Sequence, residues 1–234
     1  MIQIDFANYG MQGTIDLEGD LVGDREGATP PIIIFAERHR DLGIITQNIH
    51  NACTLIDNHI VDLICSEKMT LGGRAEAEAH ARKRGFQTLE AFREDSRQEL
   101  PTDDDAINAL SSRGTVEFPR TVLYLRPAAE VQIVEDLELW TIADRLHTQC
   151  ELDCVANPNH TKEIKRRFRH DQVNRDREVK FVNNLFTKRQ ELNCNRATIL
   201  NVGGFHALQI PALLSNDQSY IHIRPTGYPA DELD

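Results

Sequence analysis

The sequence predicts an α/β fold: a mainly parallel sheet with helices on both faces. Two observations carry that reading. Four short runs rich in Ile, Val and Leu, PIIIFA (31–36), HIVDLICS (59–66), TVLYL (121–125) and ATILNV (197–202), lack the polar alternation of a half-solvated strand, as expected of strands buried on both faces. The segments between them are helical in pattern and long enough to serve as the crossovers that parallel neighbours need.

The elements follow in order. MIQIDF and GTIDLEGD read as a hairpin or edge strands and GDREGATPP as a linker, so residues 1–30 are an expected appendage of a single domain spanning 1–234. Within 41–58, Leu42, Ile45, Ile49, Ala52 and Ile56 fall three or four apart, an amphipathic helix stripe. Residues 73–98 are rich in Ala, Glu and Arg, with Glu78 placed to pair with Arg82. PTDDDAINAL resembles a metal loop at first sight, but Thr102 as N-cap with three Asp in the positive first turn explains it as a helix start. Leu137, Trp140, Ala143 and Leu146 form another stripe, and 162–192 reads as one broken helix or two consecutive ones. HALQIPALL (206–214) is a short helix carrying a Pro, and SYIHIRP (219–225) is a final strand.

The chain has 234 residues and a formal charge of −11, which argues against non-specific binding to nucleic acid or an anionic membrane. The N-terminus MIQIDFANYGMQG has no basic region, and no segment has the apolar length to cross a bilayer, so a cytoplasmic protein is expected. Five cysteines without a C-x-x-C fit reduced thiols. Cys150 and Cys154 stand one helical turn apart, the spacing of a metal seat or of two small residues on a buried helix face. The basic run KEIKRRFRH (162–170) reads as a solvated helix face, with a phosphate-bearing partner as the alternative. The sequon at Asn159 carries little weight without a secretory signal, and His50, His59 and His80 are expected at the surface.

In an open parallel sheet, ligands bind at the carboxyl ends of the strands, where loops and helix N-termini gather. The first run ends in Glu37 and His39, the second in Glu67, the third in Arg126, and the fourth in Gly203, Gly204 and His206. On one rim, two His and two Glu supply either a Zn or Mn site (His39, Glu67, His206) or an acid–base pair. Gly203 and Gly204 allow close approach of backbone N–H groups to a bound anion. Each residue taken singly also fits as a cap of the following helix.

These residues carry a resemblance. IFAERH before an amphipathic helix, ICSE at the next strand end, RDREV in a late helix and ILNVGGFHALQIPALL together resemble the superfamily of Tiki, TraB, ChaN-like haem-uptake proteins and erythromycin esterases. The likeness spans about 31–70 and 172–224. It implies functional roles for Glu37 and His39, for Glu67, for Arg175 with Asp176, and for Gly203 and His206. Arg175 would clamp an anionic group or stabilise an oxyanion, the alternative being that Arg175 and Asp176 are simply neighbouring charges on an exposed helix. One position departs: the superfamily usually has Gly before the first Glu, and here Ala36 stands there with Arg38 following. The resemblance implies a hydrolase acting on a small-molecule or peptide substrate, metal-dependent or through His/Glu acid–base chemistry. The alternatives are a small-molecule or haem-binding protein, with His39 or His206 as axial ligand, and a non-catalytic scaffold.

Overall fold

The computed structural model describes residues 1–39, 41–67, 73–112 and 116–229. A two-stranded antiparallel sheet opens the chain, β1 (Ile2–Asp5) with β2 (Thr14–Leu17). Then come β3 (Asp20–Arg25), β4 (Thr29–Glu37), α1 (Leu42–Asp57) and β5 (Val61–Ser66). Four helices follow, α2 (Gly73–Lys83), α3 (Leu89–Ser96), α4 (Asp103–Ser112) and α5 (Phe118–Leu125). The chain continues through β6 (Val131–Ile133), α6 (Leu137–Ala156), α7 (Thr161–Arg169) and α8 (Gln172–Glu191). It closes with β7 (Ala197–Gly203), α9 (Gly204–Leu213) and β8 (Gln218–Arg224).

The main sheet runs β3-β8-β4-β7-β5-β6. Every neighbouring pair is parallel except β3 with β8 at one edge. The fold is therefore α/β with a mostly parallel sheet. Period-two side-chain geometry explains the unbroken apolar run in β4. Ile33 and Phe35 enter one core layer with Ile45 and Ile49 of α1 and Phe118 and Val122 of α5. Ile32, Ile34 and Ala36 enter the other with Phe181 and Leu185 of α8 and Ala207 and Ile210 of α9. Each of these large side chains is fully buried, worth about 1.5–3 kcal/mol apiece.

Two expectations need correction. Residues 121–125 are the end of helix α5, not a strand. Phe118, Thr121, Val122 and Leu125 are all buried at i, i+3, i+4, i+7, and Pro119 occupies the first turn. The strand in that region is β6, only three residues long. The supposed linker, residues 23–31, instead holds the end of β3, where Gly23, Asp24 and Arg25 pair with β8, and the start of β4 at Thr29.

Candidate functional site

Three strands bring the candidate groups to one rim. Glu37 ends β4 and lies in register with Gly203, the last residue of β7. Glu67 follows β5 directly, its N–H donating to Asn201 O of β7 at 3.2 Å. His39, two residues beyond β4, donates from Nδ1 to Glu37 Oε1 (2.7 Å) and from Nε2 to Glu67 Oε1 (2.8 Å). An imidazole that donates from both nitrogens is an imidazolium. Burial opposes that charge, but the hydrogen bonds to Glu37 and Glu67 and their charges push the His39 pKa up to about 10. Burial alone would raise the Glu67 carboxyl, yet its bond to His39 and the electrostatic pull of the surrounding His206, His39 and Arg177 side chains hold it at about 2. The Glu37 side chain is buried whereas that of His39 is 45% exposed, so the imidazolium is the open face of a buried acidic floor.

A buried amide relay supports Glu37. Its Oε2 accepts from Asn201 Nδ2, and Asn201 Oδ1 accepts from Asn48 Nδ2 of α1 at 3.3 Å. Asn48 also donates to Ala36 O at 2.9 Å, which ties α1 to the end of β4. Both amides are fully buried.

The second imidazole is organised differently. His206, in the first turn of α9, is 7% exposed. Its Nε2 lies 3.3 Å from Arg177 Nη1. A guanidinium only donates, so Nε2 accepts and the ring proton sits on Nδ1, donated to Glu178 Oε1 at 2.9 Å. Arg177 forks onto Glu135, Nε to Oε1 at 3.2 Å and Nη2 to Oε2 at 2.5 Å, and also reaches Asn174 Oδ1 at 3.3 Å. Burial works against the guanidinium charge, but Glu135 raises its pKa.

Gly203 joins the halves. A Cβ there would stand 3.1 Å from Glu67 Oε1, 3.7 Å from His39 Nε2 and 3.7 Å from His206 Cδ2. Its φ of −51° is open to any residue, so the glycine serves close approach rather than turning. At Gly204 a Cβ would collide with the Tyr228 ring, so Gly204 accommodates that phenol.

Glu37, His39, Glu67, His206 and Gly203 thus surround one point. Arg175 does not join them: it and Asp176 are exposed on α8, and Arg177 and Glu178 face inward instead. Arg126 lies at the opposite end of the sheet, where it forks onto Asp57 at the end of α1 and bonds Asp103. Asn48, Asn201, Glu135, Arg177 and Glu178 escaped the sequence reading. A cavity of about 750 Å³ among α2 to α5, lined by Phe86, Phe92, Arg120 and Tyr124, shares no residue with the cluster.

The expected metal fits in part. His39 Nε2 and Glu67 lie side by side, Glu37 backs His39 in the manner of a metal-bound imidazole, and Glu67 Oε2 is buried without a partner among the described residues. His206 turns its Nε2 to a cation, which leaves two ligands where zinc uses three or four. Among the described residues no group of three or more His, Cys, Asp or Glu is arranged for a metal ion. For haem, His39 and His206 each have both nitrogens engaged, so neither presents a vacant axial ligand.

Fold and cluster define an α/β protein with a carboxylate–imidazolium–carboxylate site at the carboxyl edge of its sheet. Compared with family models, curated proteins and solved structures, the chain matches none of them.

Proposed function

We propose that the protein is a hydrolase acting on a small-molecule or peptide carbonyl at the Glu37–His39–Glu67 cluster. The observation that carries this reading is the half-exposed His39 imidazolium held between two carboxyls, beside Glu67 Oε2, which has no partner among the described residues. The superfamily resemblance of the strand-end motifs points the same way.

In this mechanism substrate binding opens Glu67 Oε2, buried in the free protein, to one water, whose proton it takes as the hydroxyl adds to the carbonyl. The α9 N-terminus, which has no side-chain cap among the described residues, would stabilise the developing oxyanion. His39 then gives its Nε2 proton to the leaving group as the bond to that group breaks, and the proton on Glu67 returns to His39. Glu37, fixed by Asn201, keeps the ring oriented throughout. A divalent ion, if bound, would be held by His39 Nε2 and Glu67 and would polarise the carbonyl.

A second reading, a small-molecule binder without catalysis, is favoured by the full hydrogen bonding of both imidazoles. The deciding experiment screens esters, lactones and peptides against the wild type, Glu67→Gln and His39→Ala. Turnover that falls at least about a hundredfold in both variants supports the hydrolase, in line with loss of a general acid or base. Turnover unchanged in both removes it, and binding without turnover supports the second reading. Metal analysis of chelator-free protein, with a visible spectrum, tests the metal and haem expectations.

A further inference from the structure

The basic helix α7 has no part in the chemistry above, yet its charges are ordered. Lys162, Lys165, Arg166 and Arg169 stand at i, i+3, i+4 and i+7, which puts them on one stripe. The half-buried Ile164 and Phe168 lie on the other side, and the Phe168 ring meets His147 of α6 at 5.5 Å. Arg167 is paired with Glu163. Lys162, Lys165 and Arg166 are exposed and form no ion pair among the described residues. In a chain of net charge −11, a helix with five cations and one acid is a local inversion of sign.

The stripe also ends where the site begins. Phe168 O accepts from Asn174 Nδ2 at 2.7 Å, and Asn174 Oδ1 accepts from Arg177, the residue that holds His206. The His170 ring packs on Phe205, the neighbour of His206.

We infer that the α7 stripe docks an acidic polypeptide segment in extended conformation, leading it toward the His39–His206 rim. Cations three or four residues apart on a helix repeat every ~5 Å along its axis. Alternate side chains of an extended chain repeat every ~6.5 Å on one face, a mismatch that long Lys and Arg side chains span over the two repeats of the stripe, so a segment with an acid at every second position meets successive cations. A nucleic acid fits less well: the stripe is ~10 Å long, and a longer polyanion would run onto the acidic remainder of the surface. The inference concerns binding and stands whether or not the cluster hydrolyses the segment.

The test titrates the full chain into a short fluorescein-labelled peptide of alternating Glu and Ala, followed by anisotropy. Affinity should fall about tenfold or more between low and physiological salt. It should fall about tenfold or more again in Lys165→Gln/Arg166→Gln and further in Lys165→Glu/Arg166→Glu. Gln and Glu match Lys and Arg in helix propensity, and circular dichroism checks that both variants stay folded. Lys180→Glu, an exposed charge reversal on α8, should bind as the wild type does. Equal affinity in both α7 variants, or equal binding of a Lys–Ala peptide, overturns the proposal. So does tighter capture of oligothymidylate or phosphatidylserine vesicles than of the acidic peptide.

Discussion

His39 bonds Glu67 across a strand: the residues follow β4 and β5, and β7 lies between those two strands. The gap is two interstrand spacings, about 10 Å, and an imidazole reaching from a turn closes it. The bridge passes over the end of β7, which is Gly203. The missing side chain at that position is what lets an ion pair cross a strand.

Gly203→Val should therefore open the His39–Glu67 contact. The displaced atoms would include Glu67 Oε1, already 3.1 Å from a Cβ at this position. His39 should then titrate well below about 10, moving toward its ordinary 6.5. Histidine NMR titration reads this directly. A His39 pKa unchanged in the variant would show that the bridge does not depend on the glycine.

The same pair sets a pH window. The Glu67 carboxyl is lowered in the fold, so its contribution to stability is complete above its ordinary 4.5 and is lost as pH falls toward about 2. His39 is raised, so its contribution is complete below 6.5 and is lost as pH rises through about 10. Denaturant midpoints measured against pH should show a plateau between 4.5 and 6.5 from this pair, with decline on either side. Glu67→Gln should flatten the acid limb and bring His39 down, moving the basic limb to lower pH. Turnover, where found, should fall on the alkaline side as His39 loses its proton.

Much of this was legible in the chain. The runs at 31–36, 59–66 and 197–202 are β4, β5 and β7, because residues buried on both faces leave a continuous apolar signature. TVLYL misled because a five-residue apolar run fits a buried helix as well as a strand. Extending the window to Phe118 reveals the helical spacing, and Pro119 marks its start. The RDREV motif misled by phase. Val173, Arg177, Phe181 and Leu185 share the buried stripe of α8, which passes through Arg177 and Glu178 and misses Arg175. Glu135 was beyond reach, since it follows a strand too short to announce itself. Asn48 and Asn201 were hidden for another reason: a buried amide inside an apolar stripe gives no sign of which groups it bonds.

Arg126, the residue that the misread strand assigned to the site, has a structural role. It is 18% exposed and bonds Asp57 through two contacts of 2.6 Å and Asp103 at 2.8 Å, joining α1, α4 and α5 below the sheet. Arg126→Leu should cost about 1–3 kcal/mol in urea unfolding, the range for lost charged hydrogen bonds at a partly buried site. Any activity should be unchanged at temperatures where the variant is folded. Loss of activity in a folded Arg126→Leu protein would contradict its placement away from the chemistry.

The sharpest contrast lies between two arginines two residues apart. Arg175 is exposed on α8, and Arg175→Ala should shift stability by less than about 0.5 kcal/mol. Arg177 is 9% exposed, and its partner Glu135 has a fully buried side chain. Removing the guanidinium strands that carboxyl in the interior, so Arg177→Met should cost about 3–5 kcal/mol. A double variant, Arg177→Met/Glu135→Leu, removes both charges and should recover much of the loss, because an apolar pair of similar volume needs no solvation. His206 would still lose its Nε2 donor in that variant while Glu178 keeps the ring proton on Nδ1, so stability should return with Nε2 left unbonded. The Nε2 chemical shift of His206, sensitive to a hydrogen bond accepted there, reports this. Equal cost for Arg175→Ala and Arg177→Met, or an unchanged His206 Nε2 shift in the double variant, would break the link from Glu135 through Arg177 to His206.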